Sequence, residues 1–186
     1  MTETGNPEAL LWLDLETTGI DRDTDKPLEI GIKCTDTNAD NTYGELHRII
    51  LPADFNPDTL DPYVHDMHAN SGLLDELANA DPRNDGEAAV GNAVEEFLES
   101  LAQRFTLTPA GTNVDFDLAF LTRRLCPNPP LSYRKFDVTA LRKFAAWHGL
   151  NPKPGHKHPH RVRECLERDI NEYRQLSKRL LDGHAA

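Results

Sequence analysis

The chain has 186 residues, a formal net charge of −11 and 38% hydrophobic residues. This length is enough for one domain whose core needs no disulfide or metal to fold. The negative charge excludes the broad basic surface with which proteins grip long duplexes, because phosphate neutralisation supplies most of that affinity. We therefore expect a single domain over residues 1–186, with a structured core at about 10–181.

The three cysteines are odd in number and widely spaced, and no Cys-x-x-Cys occurs. This usage indicates a reducing compartment rather than a disulfide framework or a zinc ribbon. No apolar run has membrane-spanning length, and the first residues lack the basic and apolar regions of a secretory signal. We expect a cytoplasmic protein with no membrane partner.

The predicted elements begin with three strands, at 10–16, 28–34 and 46–51, because apolar and polar residues alternate there. The elements that follow are helices near 58–67, 72–79 and 87–104, a strand near 107–112, a helix near 115–125, a strand near 133–137, a helix at 138–147, a loop from Gly149 to Pro159 and a final helix from about His160 to Leu181. This order predicts an α/β fold, a mixed sheet covered by helices on both faces.

Two carboxylates, Asp14 and Glu16, lie two positions apart in the apolar run Leu11-Trp-Leu-Asp14-Leu-Glu16-Thr-Thr18. Side chains alternate across a strand, so both acids share one face. Burying two like charges is costly, and a hard cation such as Mg²⁺ or Mn²⁺ relieves that cost. The alternative is a strand end where the acids meet solvent or an arginine.

Asp117 lies in a predicted helix that follows directly after a strand, in Gly111-Thr-Asn113-Val-Asp-Phe-Asp117. Asp115, in the first helical turn, is typical of a cap or a dipole partner. Asp117 lies deeper, where it can point at a metal held by Asp14 and Glu16.

His160 opens the last predicted helix. Histidine exchanges protons near neutral pH, so this position suits proton transfer. The alternative is a solvated histidine of the loop Gly155-His-Lys-His-Pro-His160. A zinc site in that loop lacks a cysteine partner at finger spacing.

Together these motifs resemble the DEDD superfamily of 3′→5′ exonucleases and, within it, the oligoribonucleases. The resemblance covers nearly all of the chain. It is carried by Trp12-Leu-Asp14-Leu-Glu16-Thr-Thr-Gly19-Ile20, His68-Ala-Asn-Ser71-Gly72-Leu73 and Tyr133-Arg134-Lys-Phe-Asp137-Val138-Thr139. The resemblance implies an RNase H-like mixed sheet flanked by helices.

The resemblance also implies a metal site and a base. Asp14, Glu16 and Asp117 match the metal-binding acids of the family, and His160 matches its general base. The implied cofactors are two Mg²⁺ or Mn²⁺ ions, whereas oxygen ligands make Zn²⁺ the least expected metal.

The implied substrate contacts lie in the same motifs. Tyr63 stands where the family has a tryptophan that stacks on a base, and another aromatic ring can do the same. His68 and Ser71 match residues near the nucleotide phosphates. Tyr133 matches a tyrosine that reaches the partner subunit's substrate, which implies a homodimer. The residues expected at the substrate are Thr17, Tyr63, His68, Ser71, Asn113 and Tyr133. Asp137 is instead predicted to be the N-cap of the next helix.

The chain departs from the family at the fourth acid. That acid lies five residues after the histidine, where this chain has Cys165. A neutral thiol is a poor ligand for Mg²⁺. Glu164 shares a helix face with His160, so we expect Glu164 to substitute, the alternative being a weakened or silent site. A second departure is Asn113, whose spacing of four residues before Asp117 is of the proofreading type.

The implied reaction is two-metal hydrolysis of the terminal phosphodiester of very short single-stranded RNA, dinucleotides above all, to 5′-mononucleotides. One alternative is a general proofreading-type 3′→5′ exonuclease that acts on longer single-stranded DNA or RNA. The other is a DEDD-fold protein that lost catalysis with its fourth acid and only binds nucleotides or a partner.

Overall fold

A five-stranded mixed sheet organises the protein. The computed structural model of the chain describes residues 5–150 and 160–182. The strands are β1 (Glu8–Thr17), β2 (Pro27–Thr35), β3 (Thr42–Ile49), β4 (Thr106–Gly111) and β5 (Phe136–Asp137). They lie in the order β3-β2-β1-β4-β5. Pairs β3–β2 and β2–β1 are antiparallel, and pairs β1–β4 and β4–β5 are parallel.

Helices connect and cover the strands. In the described ranges they are α1 (Pro62–Asn70), α2 (Leu73–Ala78), α3 (Pro82–Asp85), α4 (Glu87–Ala102), α5 (Val114–Phe120), α6 (Val138–Trp147) and α7 (Val162–Asp182). A π-helical turn, Leu121–Leu125, continues α5. The predicted α/β fold with a mixed sheet is confirmed. None of the helices in these ranges is both long and apolar enough to cross a bilayer.

Some predicted boundaries were wrong. β3 begins earlier than predicted because three of its first four residues are exposed, so apolar alternation does not mark its start. The helix predicted from 58 begins at Pro62, where the Asp61 side chain caps it, and a separate 3₁₀ turn precedes it. The strand predicted at 133–137 shrinks to two residues, and the short α3 was not predicted. Residues 151–159 of the predicted loop, with both of its histidines, lie outside the described residues.

Strand β1 contributes side chains to two hydrophobic cores because its side chains alternate between the faces of the sheet. Leu11, Leu13 and Leu15 pack in a core that also holds residues of α4. Leu10 and Trp12 pack in the opposite core, with residues of α6 and α7. Asp14 and Glu16 continue the row of Leu10 and Trp12, so they point towards α7.

Gly31 sets how closely α7 approaches the sheet. It pairs with Asp14 across β1 and β2. A Cβ atom at Gly31 would lie 2.9 Å from side-chain atoms of Val162 and Leu166, so any larger residue would push α7 outwards. Cys165 shares a helical face with Val162 and Leu166. The missing side chain of Gly31 therefore lets Cys165 reach the end of β1.

Candidate active site

Asp14, Glu16 and Cys165 form a cluster between β1 and α7. One carboxylate oxygen of each acid and the Cys165 Sγ all lie within 4.8 Å of one another. Glu16 and Cys165 are each 7% exposed, and Asp14 is half-buried. The two acids do share a face, as predicted. Two hard oxygen donors and one sulfur donor fit a divalent cation.

The electrostatics of this acid–thiol cluster also fit a cation. Burial, aided by the charges of Asp117 and Glu16, raises the pKa of Asp14 well above its usual range. Burial and the charge of Glu29 raise the pKa of Glu16 to about 7. Burial and the charge of Asp14 raise the pKa of Cys165 to about 12. A bound divalent cation reverses such shifts because it stabilises the anionic form of each group.

Asp117 lies beside the acid–thiol cluster rather than in it. Pairing between β1 and β4 ends at Trp12, and beyond that point Leu15 N donates a 2.9 Å hydrogen bond to Asp117 Oδ1. Burial raises the pKa of Asp117 to about 8, and the charges of Asp169 and Glu16 add to this shift. The structure thus brings Asp117 to the same end of β1, as the sequence predicted.

The structure does not bring Glu164 to the acid–thiol cluster. Glu164 instead lines a separate cavity with Glu29, His47, Glu76, Arg161 and Arg163. The rotation of α7 is fixed by the packing of Val162 and Leu166 over Gly31. That rotation turns Cys165, not Glu164, towards Asp14. The expectation that Glu164 joins the acids is therefore corrected: Cys165, not Glu164, lies beside Asp14 and Glu16.

His160 and Tyr63 meet in a cavity of about 300 Å³ between α1 and the start of α7. Its lining residues are Tyr63, Asp66, Met67, Asn70, Ser71 and His160. The Tyr63 ring is 71% exposed, and His160 is exposed just before α7. The structure thus brings the predicted base together with two predicted substrate residues.

His68 ties the Tyr63–His160 cavity to β1. Its Nε2 donates to the Thr17 carbonyl at 2.9 Å, and Ser71 Oγ donates to the His68 carbonyl. Burial lowers the pKa of His68, which favours the neutral ring. Its Nδ1 has no hydrogen-bond partner within the part of the chain that the structure describes. Because His68 is fully buried, a contact with a nucleotide phosphate requires its side chain to become accessible.

The remaining predicted substrate residues lie elsewhere around the strand ends. Thr17 Oγ1 donates to the Gly19 carbonyl at 2.6 Å. Asn113 is exposed and has a left-handed backbone, with φ of 54°. Tyr133 is 81% exposed, and the guanidinium of Arg134 lies 4.9 Å from its ring centroid. Neither Asn113 nor Tyr133 lines the Tyr63–His160 cavity.

The predicted cap at Asp137 is confirmed. Its side chain accepts a hydrogen bond of 2.7 Å from Thr139 N at the start of α6.

Sequence reasoning missed Asp169, which is 2% exposed on α7. Its carboxylate accepts hydrogen bonds from Thr112 N and Oγ1 at the end of β4, and from Arg142 Nη2 on α6. Arg168 Nε also donates to Asp169, and the charge of Arg168 opposes the burial that raises the pKa of Asp14. The spacing could have revealed Asp169, because it follows Cys165 by four residues and therefore lies on the same helix face.

Arg161 anchors the start of α7 next to His160. Its guanidinium donates to Glu29 Oε1 on β2 at 2.8 Å and to Glu76 Oε1 on α2 at 2.9 Å. Glu29 is 1% exposed and also contacts His47 Nε2 at 2.6 Å. This buried ion pair therefore fixes the residue that follows His160.

Comparison with known proteins identifies relatives along most of the chain. No protein-family model matches it. The oligoribonuclease of Streptomyces avermitilis is 32% identical over 140 residues, which cover 74% of this chain and 68% of the relative. The oligoribonuclease of Tropheryma whipplei is 27% identical over 183 residues, which cover 96% of this chain and 97% of the relative.

Solved structures share the fold. Escherichia coli exonuclease I in complex with a 5cy-dT13 oligonucleotide matches 93% of this chain with a TM-score of 0.65 and 17% identity. The zinc ion bound form of its complex with single-stranded DNA matches with a TM-score of 0.63 and 18% identity. The chain spans 41% of the length of either structure, and the likeness shows the fold alone. The chain shares 32% identity over 140 residues with an oligoribonuclease, along 68% of that relative's length, and it has the fold described above, so it belongs to the oligoribonuclease family of nucleases.

Proposed function

We propose that this protein is a single-domain 3′→5′ exoribonuclease that hydrolyses very short single-stranded RNA, dinucleotides above all, to 5′-mononucleotides. The observation that carries the proposal is that carboxylate oxygens of Asp14 and Glu16 lie close enough to share one ion. The two acids lie at the end of β1, and His68 links that strand end to the Tyr63–His160 cavity. Membership of the oligoribonuclease family supports the reaction class.

We assign Asp14, Glu16 and Asp117 to hold Mg²⁺ or Mn²⁺, with two ions at the site. The zinc ion bound form of exonuclease I supports divalent-ion binding on this fold. When bound, such ions neutralise charge at the scissile phosphate and make water a better nucleophile.

The side chains of the cavity supply positioning and proton transfer. Tyr63 stacks on a base, which contributes about 1–3 kcal/mol, a large share of the binding energy for a substrate with two bases. His160 takes a proton from the attacking water as its oxygen bonds to phosphorus. The P–O3′ bond breaks, the leaving O3′ takes up a proton from solvent water, and a 5′-mononucleotide is released. General-base help of this kind contributes about 10²–10⁴-fold.

The small volume of the Tyr63–His160 cavity and the negative charge of the protein favour short substrates. The Tyr63–His160 cavity measures about 300 Å³, and the net charge is −11. An acidic surface repels a long phosphate chain but tolerates one or two phosphates next to metal ions. We also propose a cytoplasmic homodimer, in which the exposed Tyr133 reaches the substrate of the partner subunit.

The test is release of mononucleotides from a 5′-phosphorylated RNA dinucleotide and from RNA of about 20 nucleotides, a length that spans several binding sites. Each reaction is run with Mg²⁺, Mn²⁺ or EDTA. We expect metal-dependent turnover that favours the dinucleotide and is absent in Asp14→Asn. The matched control is Asp40→Asn, at an exposed acid between β2 and β3, which leaves the rate unchanged.

Two other outcomes decide against the proposal. Degradation of the longer RNA as fast as the dinucleotide indicates a general 3′→5′ exonuclease, which the spacing of Asn113 and Asp117 favours. Tight dinucleotide binding without turnover, whatever the metal, indicates a binding protein.

A further inference from the structure

A sulfur atom lies beside the two acids at the end of β1. Cys165 Sγ and the oxygens of Asp14 and Glu16 all lie within 4.8 Å of one another. In tetrahedral geometry, bonds of about 2.0–2.2 Å to oxygen and about 2.3 Å to sulfur place two ligands of one zinc ion roughly 3.6 Å apart, about 1 Å closer than the 4.8 Å limit seen here. A small closure of these three side chains therefore completes a shared coordination sphere.

The carboxylates of the acid–thiol cluster are also short of partners. Glu16 is 7% exposed, yet within residues 5–150 and 160–182 neither Asp14 nor Glu16 accepts a side-chain hydrogen bond or forms a salt bridge. Buried carboxylates are normally paired, because desolvation of an unpaired charge is costly. The charges of Arg161 and Arg168 act on Glu16 without a direct contact, so a glutamate beside an aspartate and a thiol still lacks a cation against its carboxylate.

The surroundings of Cys165 argue against a purely packing role. A buried cysteine that only fills space has apolar neighbours, as Cys34 and Cys126 do in the core under α4. Cys165 instead lies against two acids, on the side of α7 that Gly31 allows close to β1. The fold thus directs the thiol at the position where a ligand is needed.

We propose that Cys165 is a metal ligand, and that the mixed carboxylate–thiolate set makes this site prefer Zn²⁺ or Co²⁺ to Mg²⁺. The inference rests on the proposed function only in that the same site serves hydrolysis. Thiolate is a soft ligand that favours zinc-like ions, whereas Mg²⁺ demands oxygen ligands in octahedral geometry. The thiol releases its proton to water as the metal binds. Oxygen ligands alone would instead favour Mg²⁺ over Zn²⁺.

The test is a Co²⁺ titration of the full-length, metal-free and reduced protein, followed by absorbance. We expect a sulfur-to-cobalt charge-transfer band in the near ultraviolet that Zn²⁺ removes and equimolar Mg²⁺ does not. Cys165→Ser abolishes the band and weakens Zn²⁺ binding by at least about tenfold, since even the loss of an outer partner of a metal ligand costs that much. Cys126→Ala, at a buried cysteine away from the site, keeps the band.

A second variant guards against misfolding of the first. Cys165→Asp restores an oxygen ligand, so it binds Co²⁺ without the band and binds Mg²⁺ more tightly than the native chain. The inference is overturned if the native protein gives no band, if the band survives Cys165→Ser, or if Mg²⁺ displaces Co²⁺ as readily as Zn²⁺ does.

Dinucleotide hydrolysis measured on the same samples separates this inference from the proposed function. Turnover with no cobalt band retains the exonuclease and rejects the thiolate ligand. A cobalt band with no turnover under any metal retains the ligand and rejects the enzyme.

Discussion

Each acid at the end of β1 titrates according to what lies beside it. Glu16 faces Glu29 across the strand pair, Asp14 faces Asp117 and Cys165, and Asp117 accepts a backbone hydrogen bond. Burial and the neighbouring acids favour protonated carboxyls when no cation is bound, whereas the backbone hydrogen bond to Asp117 favours its anionic form. The proposed roles follow these surroundings: the buried acids are assigned to the cation, and the exposed His160 is assigned to the attacking water.

Removal of Asp14 and of His160 should separate these roles. We expect Asp14→Asn to abolish dinucleotide hydrolysis, because the site loses its central oxygen ligand. His160→Ala should retain measurable turnover, since loss of a general base costs about 10²–10⁴-fold while the cation remains. Initial rates on the RNA dinucleotide measure both. Equal losses in the two variants would contradict this division of labour.

The raised pKa values predict how stability depends on pH in metal-free protein. Glu16 titrates at about 7 in the folded state against 4.5 when unfolded, and Asp117 at about 8 against 3.8. The folded state therefore binds more protons across this window, so the free energy of unfolding should fall as pH rises from about 4.5 to about 8.

Thermal unfolding in EDTA across that pH range measures the effect. Glu16→Gln, which cannot ionise, should show a weaker decline than the native chain, and a saturating divalent ion should restore stability at the upper end. A Tm in EDTA that rises with pH would refute the assignment.

At the scale of elements, the packing of α7 on the sheet decides which of its side chains reaches β1. Gly31 permits the contact with Val162 and Leu166, and Arg161 ties the start of the helix to Glu29. Asp169 ties the helix to the end of β4 through Thr112. Together these contacts hold Cys165 against Asp14 and place His160 beside α1.

Gly31→Ala should displace α7 and open the acid–thiol cluster. The new methyl group would lie 2.9 Å from Val162 and Leu166 atoms, so one of the two elements must shift. Overpacking of this kind costs about 1–3 kcal/mol of folding free energy. Urea unfolding and metal affinity measure the two effects. Gly5→Ala, where a Cβ meets nothing within 4 Å, is the matched control and should change neither.

At the scale of the whole molecule, the exposed aromatic residues bear on the proposed homodimer. Tyr133 is 81% exposed at the β5 side, whereas the Tyr63–His160 cavity lies between α1 and α7. If Tyr133 contacts the substrate bound to a partner subunit, it does not need to line the cavity of its own subunit.

Light scattering should therefore give the mass of two chains, about twice 20.9 kDa. Tyr133→Ala should remain dimeric and fold normally, yet hydrolyse the dinucleotide more slowly, because an exposed side chain contributes little to the fold. A monomeric native protein with full activity would contradict the assignment of Tyr133 to a partner's substrate.

The sequence by itself determined the strand that carries the acids, the helices with clear apolar periodicity and the family. The alternation in β1 puts Asp14 and Glu16 on one face whatever the rest of the chain does, and the N-cap chemistry of Asp137 marks the start of α6 locally. Such features depend only on neighbours in sequence, so pattern and spacing suffice to predict them.

Only the tertiary structure decided which residue of α7 joins the acids. Glu164 and Cys165 are consecutive, and a rotation of about 100° exchanges them at the sheet. That rotation is set by contacts with Gly31 on β2, far away in sequence. The same holds for His68: its motif resembles a phosphate contact, but in the structure its buried ring bonds to the Thr17 carbonyl at the end of β1. Long-range packing fixes these orientations, and the local sequence pattern does not predict that packing.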